Sequence, residues 1–306
     1  MTGTTDITSV LGPLAPVLAE ADVVEISCNP GGEVWVERFA KAPALWGQLD
    51  RARAERFVRW CATWSQDSIT AERPIFSGRI PGTPHRIEAL IPPVVEAPTF
   101  SIRRHREQVI SLEEYIEDPK PRALVAEAIA AKHNILIAGA TGSGKTTLLN
   151  ACLHHLAEIA PQTRLITIED TPEIRTPLKN ALALVSTDAV SMDRLLISTL
   201  RLAPDRIVVG ELREGRVLMT LIKAWNTGHP GGLVTLHANS GADVIPRLRM
   251  LASEILQTDP TPALLASLDM VVFVRRGRAR PIVETIAARQ TDADGTQTLE
   301  TLHDQS

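Results

Sequence analysis

Apolar and polar residues alternate in short runs along the first hundred residues of this 306-residue chain, which is the pattern of half-buried strands. Strands are predicted at 23–26, at 33–39 and within 70–98, separated by turn residues. Residues 45–64 carry apolar and aromatic side chains at helical spacing and predict one long helix. Residues 1–20 are interrupted by Pro13 and Pro16, which predicts loosely ordered chain. The pattern therefore predicts a small α+β N-terminal domain over residues 1–104.

A second pattern begins after a polar, basic linker predicted at 105–110. Ser111 and Glu114 have the spacing of a capping box that opens a helix. Strands are then predicted at 134–139, 164–169, 182–186, 206–210, 232–236 and 270–274, and helices at 145–159, 191–201, 213–226 and 242–257. This alternation predicts an α/β domain over 111–290 with a mainly parallel sheet and its ligand site at the strand ends. A polar C-terminal tail, 291–306, is expected to fray.

Composition narrows the function classes only a little. A net charge of -4 and an aromatic content of 4% disfavour a stacking groove for single-stranded nucleic acid, and direct nucleic-acid binding stays open. The three cysteines are far apart, which argues against a metal pair or a disulfide framework and favours reduced thiols in the cytoplasm. Apolar runs are too short for a membrane span and the start of the chain lacks a basic signal region, so any membrane association is expected to be peripheral.

The segment that begins at Gly139 has the order G-x-x-x-x-G-K-T between a buried-strand pattern and a helix pattern, which fits a P-loop. Its glycines allow main-chain N–H groups to surround phosphates at a helix N-terminus. Lys145 is expected to reach the β- and γ-phosphates, and the Thr146 hydroxyl to hold Mg²⁺. The nucleotide-binding candidates are Gly139, Ala140, Thr141, Gly142, Ser143, Gly144, Lys145, Thr146 and Thr147. The alternative is a glycine-rich turn that only caps a helix.

Other candidates follow later strands. Glu211 ends the apolar run 206–210, where a carboxylate for Mg²⁺ or water is expected. Glu169 and Asp170 end another strand and are either a water-activating base or part of a salt-bridged loop. His229 and His237 flank one short strand as bystanders or as contacts to the γ-phosphate, and they lack a carboxylate at metal-ligand spacing.

Four segments in order resemble the secretion-ATPase superfamily. The P-loop, Ile-Glu-Asp at 168–170, Ile-Val-Val-Gly-Glu-Leu-Arg at 207–213 and Thr-Leu-His-Ala-Asn-Ser at 235–240 are similar to its Walker A, Asp box, Walker B and His box. Upstream segments at 79–83, 86–93 and 98–104 resemble the N-terminal domain of conjugative type IV secretion ATPases. The resemblance covers about residues 20–290. The four-cysteine zinc element of type II secretion and pilus-extension ATPases is absent, and the Asp box reads Glu-Asp-Thr-Pro.

The resemblance implies a hexameric ring with ATP and Mg²⁺ bound between an N-terminal and a RecA-like domain. It implies catalytic roles for Lys145, Glu169, Glu211 and His237, and metal contacts from Thr146, Glu211 and Glu169. It also implies nucleotide-site roles for His229, for Arg201 as a structural or sensing arginine, and for Arg86, Arg103 and Arg104. Each of the last three arginines can instead be a solvated linker residue.

The function implied is that of an ATP-hydrolysing motor at the cytoplasmic face of the inner membrane. Its partners would be inner-membrane components of a conjugative or pilus-assembling type IV secretion system. Alternatives are a nucleotide-gated assembly scaffold with little turnover, a pilus-retraction-type ATPase and a DNA-binding RecA-like ATPase. A small-molecule kinase is disfavoured because no lid or acceptor-pocket motif follows the P-loop, and neither ATP nor GTP is singled out by a short motif.

Overall fold

The structure is a computed structural model that describes residues 7–39, 41–104, 110–187, 189–277 and 280–305. It divides into two compact units, Met1–Gln108 and Val109–Ser306. The division falls inside the predicted linker, of which residues 105–109 lie outside the described residues.

The N-terminal unit is an antiparallel sheet with helices on its apolar face. Its helices are α1 (Ile7–Leu11), α2 (Leu14–Ala19) and α3 (Arg51–Trp64), and its strands are β1 (Val23–Cys28), β2 (Glu33–Arg38), β3 (Ala44–Gln48), β4 (Ile75–Arg79), β5 (Arg86–Leu90) and β6 (Thr99–Arg103). The six strands lie in the order β3-β2-β1-β6-β5-β4. Alternate strand residues such as Ile26 and Ile102 share a buried cluster with Phe57 of α3, which confirms the α+β prediction.

Two predictions for this unit are wrong. Residues 44–48 form the edge strand β3, paired antiparallel with β2, and not the start of a helix. The helix begins only at Arg51, because the Asp50 side chain accepts a hydrogen bond from the main-chain N–H of Arg53 and caps it. Residues 7–19 are also not loose, since they form α1 and α2 with Leu11 and Leu14 fully buried.

The C-terminal unit is built on an eight-stranded sheet. Its strands are β7 (Ile135–Gly139), β8 (Leu165–Glu169), β9 (Ala181–Val185), β10 (Arg206–Leu212), β11 (Leu233–His237), β12 (Met270–Arg276), β13 (Pro281–Thr291) and β14 (Gln297–Asp304). Its helices are α4 (Leu112–Tyr115), α5 (Pro119–Ala130), α6 (Lys145–Ile159), α7 (Met192–Thr199), α8 (Gly215–Asn226), α9 (Val244–Ser253) and α10 (Thr261–Ser267). A 3₁₀ turn lies at Gly241–Asp243. The strand order is β14-β13-β12-β7-β11-β10-β8-β9. The neighbours from β12 to β9 are parallel, as predicted.

Both faces of the inner parallel strands β7, β8, β10 and β11 are covered, which explains their uninterrupted apolar sequences, whereas the edge strand β9 is half-exposed. In β7, Leu136 and Ala138 point into a core with α7, α8, α9 and α10, whereas Ile135 and Ile137 point into a second core with α4, α5 and α6. The Ser111 capping box is present at the start of α4, as predicted. No helix among the described residues is both long and apolar enough to span a membrane.

The C-terminal end is not a frayed tail, which corrects the prediction for 291–306. Strand β13 pairs antiparallel with β12, and β14 pairs antiparallel with β13. The prediction is wrong because most residues of β14 are polar and none is buried, so that the pairing with β13, and not a local apolar pattern, makes a strand of them.

Candidate nucleotide-binding site

The site lies where the carboxyl ends of four parallel strands meet. His237 at the end of β11 is in register with Gly139 at the end of β7. Glu211 lies near the end of β10, and Glu169 is the last residue of β8. Parallel pairing therefore brings together segments that are far apart in sequence, at the edge where α/β sheets bind ligands.

The P-loop has the backbone that a phosphate site requires. Gly144 precedes α6 with a φ of 98°, a left-handed conformation. A β-carbon on Gly144 would also lie 2.5 Å from Cγ of Pro281, so only glycine fits. The hydroxyl of Ser143 is buried and has no hydrogen-bond partner within the described part of the chain. A buried donor without a partner beside a helix N-terminus fits a phosphate oxygen.

Lys145 is buried, and its ammonium points back along the loop. Its Nζ donates to the main-chain oxygens of Gly139, at 3.0 Å, and Ala140, at 2.9 Å. Nζ also lies 3.2 Å from Nδ1 of His237. An ammonium has only donors, so these three acceptors hold its positive charge, and phosphate oxygens would compete with them for the ammonium.

His237 links Lys145 to the carboxylate of Glu211. Burial, and then the nearby Lys145 ammonium, lowers the pKa of His237, so that the ring is neutral at physiological pH. Nδ1 faces a group that can only donate, so Nδ1 must be the acceptor and Nε2 carries the proton. Nε2 lies 3.0 Å from Oε1 of Glu211 and donates to it.

The position of Glu211 depends on an irregularity in β10. Val209 pairs with Val234 and Leu212 with Leu236, so β10 has one residue more than β11 over this stretch. Such a bulge redirects the side chains around it. Oε2 of Glu211 accepts a hydrogen bond of 2.8 Å from Nη2 of Arg213.

Arg213 extends this network to the Asp box. Its Nη1 pairs with Oδ2 of Asp170, while its Nη2 holds Glu211. The flat guanidinium therefore bridges the two carboxylates, a geometry that suits arginine better than lysine. Both Asp170 and Arg213 stand in motifs quoted from the sequence, but their pairing was not predicted because it joins two separate strands.

Glu169 is a buried carboxylate held by main-chain donors. Its Oε1 accepts hydrogen bonds from the N–H groups of Glu173, at 2.7 Å, and Ile174, at 2.9 Å. Burial raises the pKa of Glu169, and the two N–H groups oppose that shift. A β-carbon on Gly210 would lie 2.9 Å from Cγ of Glu169, so glycine in the neighbouring strand makes room for the side chain.

The Thr146 hydroxyl, predicted to hold Mg²⁺, lies 3.4 Å from Oε2 of Glu173. Glu173 was not a candidate, although it stands four residues after Glu169. The described residues contain no group of three or more histidine, cysteine, aspartate or glutamate side chains arranged to hold a metal by themselves. Mg²⁺ commonly needs only one or two protein ligands beside phosphates and water, so Thr146 with Glu211 or Glu169 is compatible with that ion.

The remaining P-loop residues lie on its outer side. Ala140, Thr141, Gly142 and Thr147 are exposed. Gly142 has a φ of 69° and open space around its α-carbon. These positions let the main chain, rather than side chains, face a bound anion.

His229 and Arg201 do not lie at this edge of the sheet within one chain, and their roles in the nucleotide site stay predictions. His229 precedes β11, and its Nδ1 lies 3.4 Å from the main-chain oxygen of Pro204, which precedes β10. Arg201 follows α7 in the same region and is exposed. Loops that precede parallel strands lie at the amino edge of a sheet, and a five-residue strand separates the two edges by roughly 16 Å. His229 and His237 therefore cannot contact one phosphate in the same chain.

The three candidate arginines of the N-terminal unit differ in where their side chains lie. Arg86 is in register with Arg103 on one side and with Arg79 on the other, which puts three arginines side by side on one sheet face. Arg104 points elsewhere, because its guanidinium donates to the main-chain oxygens of Leu18, at 3.0 Å, and Ala21, at 3.1 Å. Arg104 is thus held within its own unit, and its role as a triphosphate contact stays a prediction.

The fold and the site together define a P-loop nucleotide-binding protein. A family model described as "Type II/IV secretion system protein" matches residues 11–299. The chain is 42% identical over 279 residues to a probable conjugal transfer protein TrbB of Sinorhizobium fredii, an alignment that covers 89% of this chain and 86% of that one. The chain therefore belongs to the type II/IV secretion system protein family, and the resemblance seen in its motifs is confirmed.

Solved structures agree with this membership. The VirB11 ATPase of the Brucella suis type IV secretion system is 27% identical, with a TM-score of 0.50 over 91% of this chain and 96% of that chain. The ATPase DotB of Legionella pneumophila is 18% identical, with a TM-score of 0.65 over 98% of this chain and 82% of that chain. At that identity DotB shows a shared fold only.

Proposed function

We propose that this chain is an Mg²⁺-dependent ATPase that works as a homohexameric motor of a type IV secretion system, at the cytoplasmic face of the inner membrane. Its work would be conjugative transfer of DNA or the assembly of a pilus, in contact with inner-membrane components of that system. Any membrane contact would be peripheral.

One observation carries the proposal. Lys145 of the P-loop, Glu211 at the end of β10 and His237 of the His box are joined by hydrogen bonds at one sheet edge. The chain that holds this network is 42% identical to a probable conjugal transfer protein. The geometry supports phosphoryl chemistry, and the relative supports the process that uses it.

Some residues of the site would bind the triphosphate and Mg²⁺, and another would activate the attacking water. The P-loop N–H groups, the Ser143 hydroxyl and the Lys145 ammonium would bind the triphosphate, while Thr146 with Glu211 would hold Mg²⁺, which neutralises phosphate charge. Glu169 would be the general base, because its Oε1 is fixed by two N–H groups and Oε2 can accept a hydrogen bond from the attacking water. The raised pKa of Glu169 suits a group that takes up a proton.

Arg86 and Arg103 would be the arginines that neutralise phosphate charge. Both belong to the row of three arginines on the N-terminal sheet, in which Arg103 also lies opposite Glu25, and their positive charges suit a phosphate oxygen. An arginine that meets the transferring phosphoryl group can raise turnover by about 10³–10⁵-fold.

The test is a matched pair of variants, Glu211→Gln and Glu214→Gln. Glu214 is exposed three residues further along and serves as the control. In purified protein with Mg²⁺, Glu211→Gln should lower ATP turnover at least 100-fold, by roughly the cost of an electrostatic group in a phosphoryl site, and Glu214→Gln should not. In cells that depend on this chain for conjugation, Glu211→Gln should also stop transfer.

Transfer that survives without hydrolysis would contradict the motor and favour a nucleotide-gated scaffold. Native mass in solution tests the ring separately. A nucleotide analogue that cannot be hydrolysed should stabilise a species of about six subunits, because a ligand that binds the assembled form favours it. A monomer that saturating nucleotide leaves unchanged would contradict the hexamer, and tight ATP-dependent binding of single-stranded DNA would favour a DNA-handling ATPase.

A further inference from the structure

The side chain of Asn150 fastens the segment that follows Glu169 to the P-loop helix at two main-chain positions. Residues 170–180 connect β8 to β9 without helix or strand. Asn150 of α6 donates from Nδ2 to the main-chain oxygen of Glu173 at 3.2 Å, and its Oδ1 accepts from the main-chain N–H of Arg175 at 2.9 Å. Asn150 lies one helical turn beyond Thr146, so Asn150, which clamps the segment, and Thr146, the predicted metal ligand, share one face of α6.

The clamp brings Glu173 against two groups of the site at once. The carboxylate of Glu173 accepts the Thr146 hydroxyl, with 3.4 Å between Oε2 and Oγ1. Its main-chain N–H donates to Oε1 of Glu169 at 2.7 Å. Glu173 therefore contacts the hydroxyl expected to hold Mg²⁺ with its side chain, and the proposed base with its backbone.

The direction of the hydrogen bond from Thr146 matters chemically. A hydroxyl has one proton and two lone pairs. When the proton points at Glu173, the lone pairs point away from that carboxylate and are available to a cation. Groups that orient metal ligands in this way typically change metal affinity about 10–100-fold when they are removed.

We propose that Glu173 positions the Thr146 hydroxyl for Mg²⁺, and that Asn150 holds Glu173 in place through the 170–180 segment. Both are positioning residues that act through Thr146 and Glu169. The inference rests on the proposed function, since that function supplies the nucleotide and the ion.

The experiment measures the binding of a fluorescent, non-hydrolysable ATP analogue to the full chain as Mg²⁺ is titrated, and again with excess EDTA. Glu173→Ala should raise the Mg²⁺ concentration of half-maximal effect about 10–100-fold. Its affinity in EDTA should stay within about twofold of the wild type, because the P-loop contacts to phosphate are intact. Glu173→Gln should recover part of the loss, since an amide oxygen still accepts the Thr146 hydroxyl.

Asn150→Ala should shift the Mg²⁺ dependence in the same direction but by less, because Glu169 still holds the segment through two N–H groups. Glu158→Ala is the matched control, since Glu158 is an exposed acid at the far end of α6, and the Mg²⁺ dependence should not change. If Asn150→Ala does not fold, the two Glu173 variants decide the question.

The outcomes separate this inference from the function on which it rests. A Glu173→Ala protein with the Mg²⁺ dependence of the wild type overturns the positioning role and leaves the proposed ATPase intact. A wild-type protein whose nucleotide affinity does not respond to Mg²⁺ overturns the proposed Mg²⁺-dependent function itself. A loss of affinity in Glu173→Ala that is equally large in EDTA also overturns the inference, because it shows general damage to the P-loop.

Discussion

Lys145 and His237 are joined by a hydrogen bond across the nucleotide site, with 3.2 Å between Nζ and Nδ1. The ammonium that the P-loop offers to phosphates is therefore shared between two main-chain oxygens and a neutral histidine. A triphosphate must compete with these acceptors for the ammonium. His237 also donates from Nε2 to Glu211, so the same ring contacts both Lys145 and Glu211.

His237→Ala should separate binding from turnover. The change removes an acceptor from Lys145 and a donor from Glu211, so ATP turnover should fall about 10- to 100-fold, the loss expected for hydrogen bonds to charged groups. Affinity for a non-hydrolysable analogue should stay the same or increase, because Lys145 loses a competing partner. His155→Ala, a histidine on α6 paired with Glu158, is the control. Weaker binding at unchanged turnover would contradict the role given to His237.

Arg213→Lys should lower turnover about tenfold, because a lysine cannot bridge Asp170 and Glu211 as the flat guanidinium does. Stability should change by less than about 1 kcal/mol, since the Arg213 side chain is 54% exposed and exposed ion pairs contribute little. Turnover and chemical denaturation of the same preparations check both statements. Arg216→Lys, at an exposed position, should leave both unchanged. Equal activity of the two variants would show that the bridge has no part in turnover.

Gly144→Ala and Gly142→Ala should differ in stability although both glycines have positive φ. A left-handed alanine costs about 1–2 kcal/mol, and Gly142 has open space, so its variant should lose only that. Gly144→Ala should lose about 1–3 kcal/mol more, because the new β-carbon meets Pro281. Denaturant unfolding of the nucleotide-free protein measures both.

Pro281→Ala in the Gly144→Ala background should recover part of that extra cost. A double variant in which the two losses simply add would show that Pro281 does not restrict Gly144.

The three cysteines should be unreactive in the folded protein. Burial raises the pKa of Cys61 and Cys152 to about 12, and burial with Glu33 nearby raises the pKa of Cys28 to about 11. An alkylating reagent at pH 8 should therefore modify none of them until the chain unfolds. Rapid alkylation of the native protein would contradict the burial.

The same shifts predict a pH dependence of stability. The folded state binds these thiol protons more tightly than the unfolded state, whose thiols ionise near the ordinary value of 9.0. The stabilisation is therefore complete below about pH 9 and is lost as pH rises toward 11–12. The free energy of unfolding, measured between pH 8 and pH 10.5, should decrease. An increase over this range would mean that other groups dominate.

The P-loop and its flanking elements could be predicted from the sequence because their signals are local. A strand buried on both faces needs a continuous apolar run, and the helix must begin at Lys145, where the glycines end. The structure has α6 at Lys145–Ile159, the range that was predicted. Strand β14 could not be predicted in this way, because its polar residues become a strand only by pairing with β13.

The residue types that carry the chemistry are evident from local patterns alone: a lysine and a threonine on a phosphate loop, carboxylates at the ends of two buried strands, and two histidines on either side of a third strand. Which of these side chains meet depends on the tertiary fold. It joins Lys145 to Glu211 through His237 and places His229 at the opposite edge of the sheet. Periodicity in a sequence tells which face of a strand is buried, whereas strand order and direction decide which distant residues become neighbours.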